Sequence, residues 1–215
     1  AQNPTGAAFD ARRARELRQV LARHPATVVV EDDHAGPVAG AGHHSICAGL
    51  RSWAVVRSYA KSLGPDLRVA VLRGDPTTVA RVEGRQALGT GWVSHLLQQS
   101  VARLLTDPAT GRLLRRAATT YSRRRQALVA ALATHGLTAA PGGSGLNLWL
   151  PVSEEQSAVR ALLTAGWALA AGEPYRRTAG PGLRITIATV TPEEARVLAA
   201  AVAATLAPTG RTRTA

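Results

Sequence analysis

The chain has 215 residues, 46% of them hydrophobic, enough for one sizeable core and inconsistent with a disordered tail. Charged residues make up only 19% and aromatics 4%, so the core must be built from Ala, Leu and Val, which favours helices packed against a sheet. The formal net charge is +12, but the arginines are spread along the chain and no helix-turn-helix, finger or aromatic-studded basic strand accompanies them, which argues against direct DNA binding by these residues.

In chain order, Phe9 to Arg23 is predicted to be an amphipathic helix with Leu17, Val20 and Leu21 on one side. Ala26 to Val30 is a β-branched run without alternation, the mark of a strand buried on both faces in a parallel sheet. It ends in Glu31, Asp32, Asp33 and His34, so acidic groups gather at the carboxyl end of a strand, where ligands bind in open α/β sheets. A loop over Gly36 to Gly49 leads to a second strand at Ala54 to Arg57, and a third is expected at Arg68 to Leu72. Helices follow at Pro76 to Ala87, Trp92 to Leu105 and Leu113 to Thr134, the last long enough to link two lobes. The arginine runs Arg12 to Arg18, Arg112 to Arg116 and Arg123 to Arg125 lie inside helical patterns, where a solvated face is the default. Beyond Gly136 the pattern becomes a small α+β lobe, with strands at Leu146 to Leu150, Ala168 to Ala170 and Leu183 to Ala188 and helices at Glu154 to Ala165 and Pro192 to Leu206. The expected organisation is 1–135 as part of a larger domain with its linking helix, 136–207 as the small lobe and 208–215 as a flexible tail.

Of the 26 Lys plus Arg residues, 25 are arginine, and Lys61 is the single lysine. An amine can deprotonate in a desolvated pocket and attack a carbonyl, whereas guanidinium stays charged. The lone Cys47 excludes an intramolecular disulfide and fits a reducing cytoplasm. No apolar run reaches the ~18 residues of a membrane span and no secretory signal opens the chain, so a cytoplasmic protein without membrane contact is expected. The absence of methionine suggests a piece of something longer, or a processed product.

The string Ser58, Tyr59, Ala60, Lys61, Ser62, Leu63, Gly64, Pro65, Asp66, Leu67, Arg68 resembles the lysine segment of class I and II aminotransferases and their fold type I relatives. The resemblance implies that Lys61 holds pyridoxal 5'-phosphate as a Schiff base, with Ser58 and Arg68 on its phosphate. The chemistry is consistent, because a dianionic phosphate calls for a guanidinium and hydroxyl donors. Upstream, Glu31, Asp32, Asp33 and His34 are similar to the Glu-Asp-Asp-Tyr string of the family's regulators. There the first Asp pairs with the ring nitrogen and the Tyr touches the phenolic oxygen, which implies the first role for Asp32, with Glu31 and Asp33 as rivals. His34 stands where Tyr would be, and an imidazole can still donate to a phenolate.

Asn3, in Gln2, Asn3, Pro4, Thr5 and Gly6, resembles the family's Asn-Pro-Thr-Gly motif, whose Asn also bonds the phenolic oxygen. Arg184, in Gly182, Leu183, Arg184, Ile185 and Thr186, is similar to the late arginine that binds the substrate α-carboxylate; an internal salt bridge is the alternative. His43 and His44 lack metal-ligand spacing, and no metal site is expected. Trp92 and His95 are read as packing near a subunit interface, and Trp149 and Trp167 as small-lobe core. Gly143, Ser144 and Gly145 form only a truncated nucleophile elbow, so a serine hydrolase is rejected.

The order of these motifs, from Asn3 to about Leu206, covers nearly the whole chain and implies an α/β fold type I transferase, a mostly parallel sheet flanked by helices with a small C-terminal lobe, lacking the family's N-terminal part. The acidic string, the Lys61 segment and Gly145 to Leu150 look most like the aminotransferase-like domain of MocR/GntR-type regulators. That resemblance implies an amine effector that forms an external aldimine, a homodimer, and DNA contact only through an absent N-terminal domain. The rivals are a stand-alone aminotransferase and a basic interaction module without cofactor.

Overall fold

The computed structural model describes residues 1–207, so the tail expected at 208–215 lies outside the described residues. The chain falls into two compact units, one of residues 8–119 with Ala1, the other from Thr120 onward with Gln2–Ala7. The short N-terminal segment therefore belongs to the second unit, and the division falls within a helix, at residues 119 and 120.

In the first unit, Asp10 caps α1 (Ala11–Leu21) by accepting from the Arg13 amide at 2.6 Å. Strands β1 (Val29–Asp33), β2 (Trp53–Ser58) and β3 (Ala70–Gly74) form a sheet in that order. β1 and β2 are parallel, from Val29 beside Trp53 to Asp33 beside Arg57. β3 runs antiparallel to β2, with Ser58 opposite Ala70, so in this unit the sheet is less parallel than expected. The reason is chain length, since a parallel return needs a crossover of about a dozen residues or more and the link over 59–69 is too short for one. β1 also departs from the sequence expectation: the acids lie within the strand, and Val30 is 62% exposed while Val29 is buried. With β2 on one side only, β1 is an edge strand of the described sheet, and its burial alternates.

Helices α2 (Pro76–Ala87) and α3 (His95–Thr106) are capped by Asp75 and Ser94. Asp75 also accepts from the Trp53 amide at 2.8 Å, tying the start of β2 to α2. The Thr78 hydroxyl, then the Trp53 and Thr78 amides, lower the Asp75 pKa to about 2. Because the folded pKa lies below the unfolded one, its stabilising contribution is complete above about pH 4 and disappears as pH falls through about 2. A carboxylate-resolved NMR titration should place its midpoint near 2; a midpoint near 4 would remove Asp75 from this role.

The long helix α4 (Pro108–Thr134) starts in the first unit and ends in the second. The second unit continues with β4 (Asn147–Pro151), α5 (Glu155–Thr164), β5 (Ala170–Ala171), β6 (Gly182–Thr186) and α6 (Pro192–Leu206). Its antiparallel sheet has the order β4-β6-β5. Alternate residues Leu148, Leu150, Leu183 and Ile185 pack with Leu128, Leu132, Leu162 and Leu198 in one buried cluster. A capping box between Thr191 and Glu194 fixes the start of α6.

One arginine run is not the solvated face that its pattern predicts. Arg125 is 4% exposed and donates to the carbonyls of Gly142 (3.1 Å), Ser144 (2.6 Å) and Asn147, while Arg124 donates to Ala188 and lies 6.0 Å from the Tyr121 ring centre. Among the described residues no helix is long and apolar enough to cross a membrane.

Candidate functional site

The three consecutive acids of β1 have three different surroundings. The Glu31 carboxylate accepts from the Ser45 hydroxyl (2.9 Å) and the Ile46 and Cys47 amides, with His43 Nε2 at 3.5 Å, so it organises the 43–47 loop. The Asp33 carboxylate is buried and accepts from Arg57 Nε at 2.7 Å. It lies so close to Gly36 that any Cβ there would collide with it. Asp32 points to the opposite face of the sheet and is exposed. Register places Asp32 beside Val56, whose next neighbour on that face is Ser58. A cavity of about 540 Å³, lined by Trp53, Val55, Arg57 and Arg73 among others, belongs to the other face.

Beyond Ser58 the ladder is extended by the Tyr59 amide donating to the Val69 carbonyl at 3.1 Å, which sets Arg68 level with Ala60. The Ser62 and Leu63 amides both donate to the Tyr59 carbonyl, at 3.1 and 2.8 Å, closing a tight turn that carries Lys61. Buried Tyr59 and Val69 pack with Val101, and Leu63 and Leu67 pack against them, so the apolar residues of the segment anchor it. Ser58, Lys61 and Arg68 thus come to one end of the sheet, with His34 half-buried just past β1. Lys61 and Arg68 are exposed, so the first unit does not itself supply the desolvation that the sequence reading requires of the lysine. Cys47 is no competing nucleophile: burial, then the nearby Glu31 carboxylate, push its thiol up to about 12.

In the second unit, Arg184 lies on the face of β6 opposite the leucine cluster, beside Trp149 of β4 and Ala170 of β5. Its guanidinium stacks 4.5 Å from the Tyr175 ring centre, and its Nε is buried without a hydrogen-bond partner among the described residues. Among the described residues no ion pair engages Arg184. Trp149 is buried on this same face, with Gly172 and Gly182 so close to the indole that neither has room for a Cβ. The sequence pattern does not mark Tyr175 as functional; it sits in the Glu-Pro-Tyr turn at Glu173–Tyr175.

Asn3 is also held in this unit. Pro4 and Gly6 are buried, and the Ser144 amide and hydroxyl both donate to the Gly6 carbonyl, at 3.1 and 2.8 Å. Asn3 Oδ1 accepts from Asn147 Nδ2 at 3.1 Å, and Asn147 Oδ1 accepts from the Thr186 hydroxyl at 2.9 Å. Asn147 escapes a reading of the sequence because its partners are 144 and 39 residues away.

Comparison with known proteins bears on both units. Residues 1–202 match the family described as aminotransferase class I and II. The chain is 40% identical over 203 residues to the vitamin B6 salvage pathway transcriptional repressor PtsJ of Salmonella typhimurium, covering 93% of this chain and 47% of the repressor. Among solved structures it resembles the α-aminoadipate aminotransferase LysN of Thermus thermophilus, complexed with N-(5'-phosphopyridoxyl)-L-leucine (TM-score 0.81, 24% identity, 95% of this chain and 56% of that one). The aspartate aminotransferase of Thermus thermophilus with maleate gives a TM-score of 0.83 at 23% identity, over 95% of this chain and 55% of that one. These structures establish the fold, and the chain spans about half the length of the relatives it matches. With residues 1–202 matching this family's model on the fold these structures share, the chain belongs to the class I and II aminotransferases and has their fold type I architecture.

Proposed function

We propose that this chain is the pyridoxal phosphate-binding, effector-sensing part of a MocR/GntR-type transcriptional regulator. The observation that carries the cofactor reading is the division of labour on β1: Glu31 and Asp33 are engaged, while Asp32, on the face that it shares with Ser58, has no hydrogen-bond or ion-pair partner among the described residues. The donor set fits the cofactor. Ser58 and Arg68 match a phosphate, Asp32 a protonated ring nitrogen, Asn3 and His34 a phenolic oxygen, and Lys61 a carbonyl carbon. Arg184, with an orphan Nε over Tyr175, matches the carboxylate of an amino compound. Bound pyridoxal phosphate would supply a carbonyl that reacts reversibly with amines and a ring that withdraws electrons from them. The role of Lys61 is to hold that carbonyl until an incoming amine takes its place.

The regulator reading rests on the 40% identity to a transcriptional repressor of about twice this length. DNA contact then falls to a further domain of the whole protein, and a homodimer in the cytoplasm accompanies the proposal. The test uses the full-length protein with pyridoxal phosphate, its Lys61→Ala variant, borohydride reduction and peptide mapping. A visible band, with the reduced label on Lys61 and none in the variant, is expected. Label on another residue sinks the assignment, and no band together with tight polyanion binding would favour a cofactor-free basic module. Adding amino donors separates sensor from enzyme: a spectral change without keto-acid release is expected, whereas turnover would make the protein a transaminase.

A further inference from the structure

We infer that Asn147, backed by Thr186, is a positioning residue that decides which end of the Asn3 side chain is offered to the cofactor. The inference rests on the reading that Asn3 donates to the phenolic oxygen. A side-chain amide has two ends of nearly equal size and opposite polarity: the NH₂ end would stabilise a phenolate and the carbonyl end would repel it. Shape alone does not select between them. Asn3 is exposed, so burial does not select either.

The selection comes from a row of hydrogen bonds along one face of the second unit's sheet. Thr186, at the end of β6, donates through its hydroxyl to Asn147 Oδ1 at 2.9 Å. With its oxygen engaged, Asn147 turns its Nδ2 to Asn3 Oδ1 at 3.1 Å. Asn3 Nδ2 is left with no acceptor among the described residues, so both of its N–H bonds remain free for a ligand oxygen. Register explains why these residues meet, since Asn147 lies directly opposite Thr186 across the β4–β6 ladder. The backbone beneath the row is fixed as well, because the Asn147 carbonyl accepts from buried Arg125. Arg184 lies two residues before Thr186 on the same face, Arg125 bonds the Asn147 carbonyl and Arg124 the Ala188 carbonyl; the substitutions below leave all three unchanged.

A donor to the phenolic oxygen stabilises its negative charge, most strongly once the adjacent lysine-bound nitrogen has lost its proton. Losing that donor therefore raises the pH at which the nitrogen deprotonates. In the full-length protein loaded with pyridoxal phosphate, the midpoint of the pH-dependent change in the visible band is the readout. Asn3→Ala should raise this midpoint by roughly one unit, about the worth of one hydrogen bond. Asn147→Leu, which has similar volume but no amide, should raise it by a comparable amount. Thr186→Val should move it the same way but less, and Thr186→Ser, which keeps the hydroxyl, should leave it in place. A residue with a merely structural role would alter the melting temperature without moving the midpoint.

If Asn3→Ala shifts the midpoint and neither Asn147→Leu nor Thr186→Val does, the positioning role is overturned while the cofactor reading stands. If Asn3→Ala itself has no effect although Lys61 carries the label, Asn3 is not the donor and the inference falls with that part of the reading. Thr186 is exposed, so its valine variant keeps the question open to measurement if Asn147→Leu fails to fold.

Discussion

Replacing Arg125 with alanine is expected to destabilise the second unit by about 3 kcal/mol, the scale for removing a buried charged donor and leaving its acceptors unpaired. Three carbonyls, those of Gly142, Ser144 and Asn147, converge on one guanidinium. They belong to a glycine-rich turn without regular secondary structure and to the first residue of β4, so no backbone ladder replaces the lost bonds. Gly6 packs against the same guanidinium so closely that a Cβ there would strike it, which connects the Asn3 segment to the clamp. Lysine should rescue poorly, because an ammonium on a single stem cannot reproduce the planar fork that reaches three acceptors. Urea denaturation of wild type, Arg125→Ala and Arg125→Lys would test this. A loss below about 1 kcal/mol for alanine would mean that water replaces the guanidinium at little cost. Because Asn3 and Asn147 both depend on this turn, weaker cofactor binding should accompany the lost stability.

What can be read from the sequence, and what cannot, follows the range of the interactions concerned. The segment from Ser58 to Arg68 is legible because its chemistry lies in one continuous string, and the turn that carries Lys61 is closed by bonds within that string. Helix α2 has the bounds its sequence predicts because Asp75, Pro76 and Thr78 mark its start locally. The expected position of β1 is displaced toward Ala26 because β-propensity favours the valine run, whereas the strand's true position is set by pairing with β2, which draws in Glu31, Asp32 and Asp33 despite their low propensity. Arg125 reads as part of a solvated face because its neighbours in sequence are arginines; its real partners lie 17 to 22 residues ahead. Asn147 and Tyr175 are invisible for the same reason, since each matters only through a residue brought to it by the sheet or by a turn.

The two aspartates of β1 should separate stability from cofactor binding. Asp33→Asn keeps the shape beneath Gly36 but removes the charge facing Arg57, and a loss of about 2 kcal/mol is expected. The figure is below that for a fully buried pair because the Arg57 side chain is 37% exposed and can turn toward water. The Asp32 carboxylate is exposed and has no hydrogen-bond or ion-pair partner among the described residues, so with Asp32→Asn stability should stay within about 0.5 kcal/mol of wild type. Its effect should appear on the cofactor instead: an amide cannot hold a pyridinium as a carboxylate does, and affinity for pyridoxal phosphate should fall roughly 10- to 100-fold, the equivalent of one charge-assisted hydrogen bond. Urea melts paired with pyridoxal phosphate titrations of both full-length variants would give the comparison. If Asp33→Asn lost the cofactor while keeping stability and Asp32→Asn did neither, Asp33 would be the ring-nitrogen partner and Arg57 would have to release it on binding. The opposite pattern is expected, because a carboxylate already neutralised by a guanidinium is a weaker partner for a second cation than one on the face of Ser58 that has no ion-pair partner among the described residues.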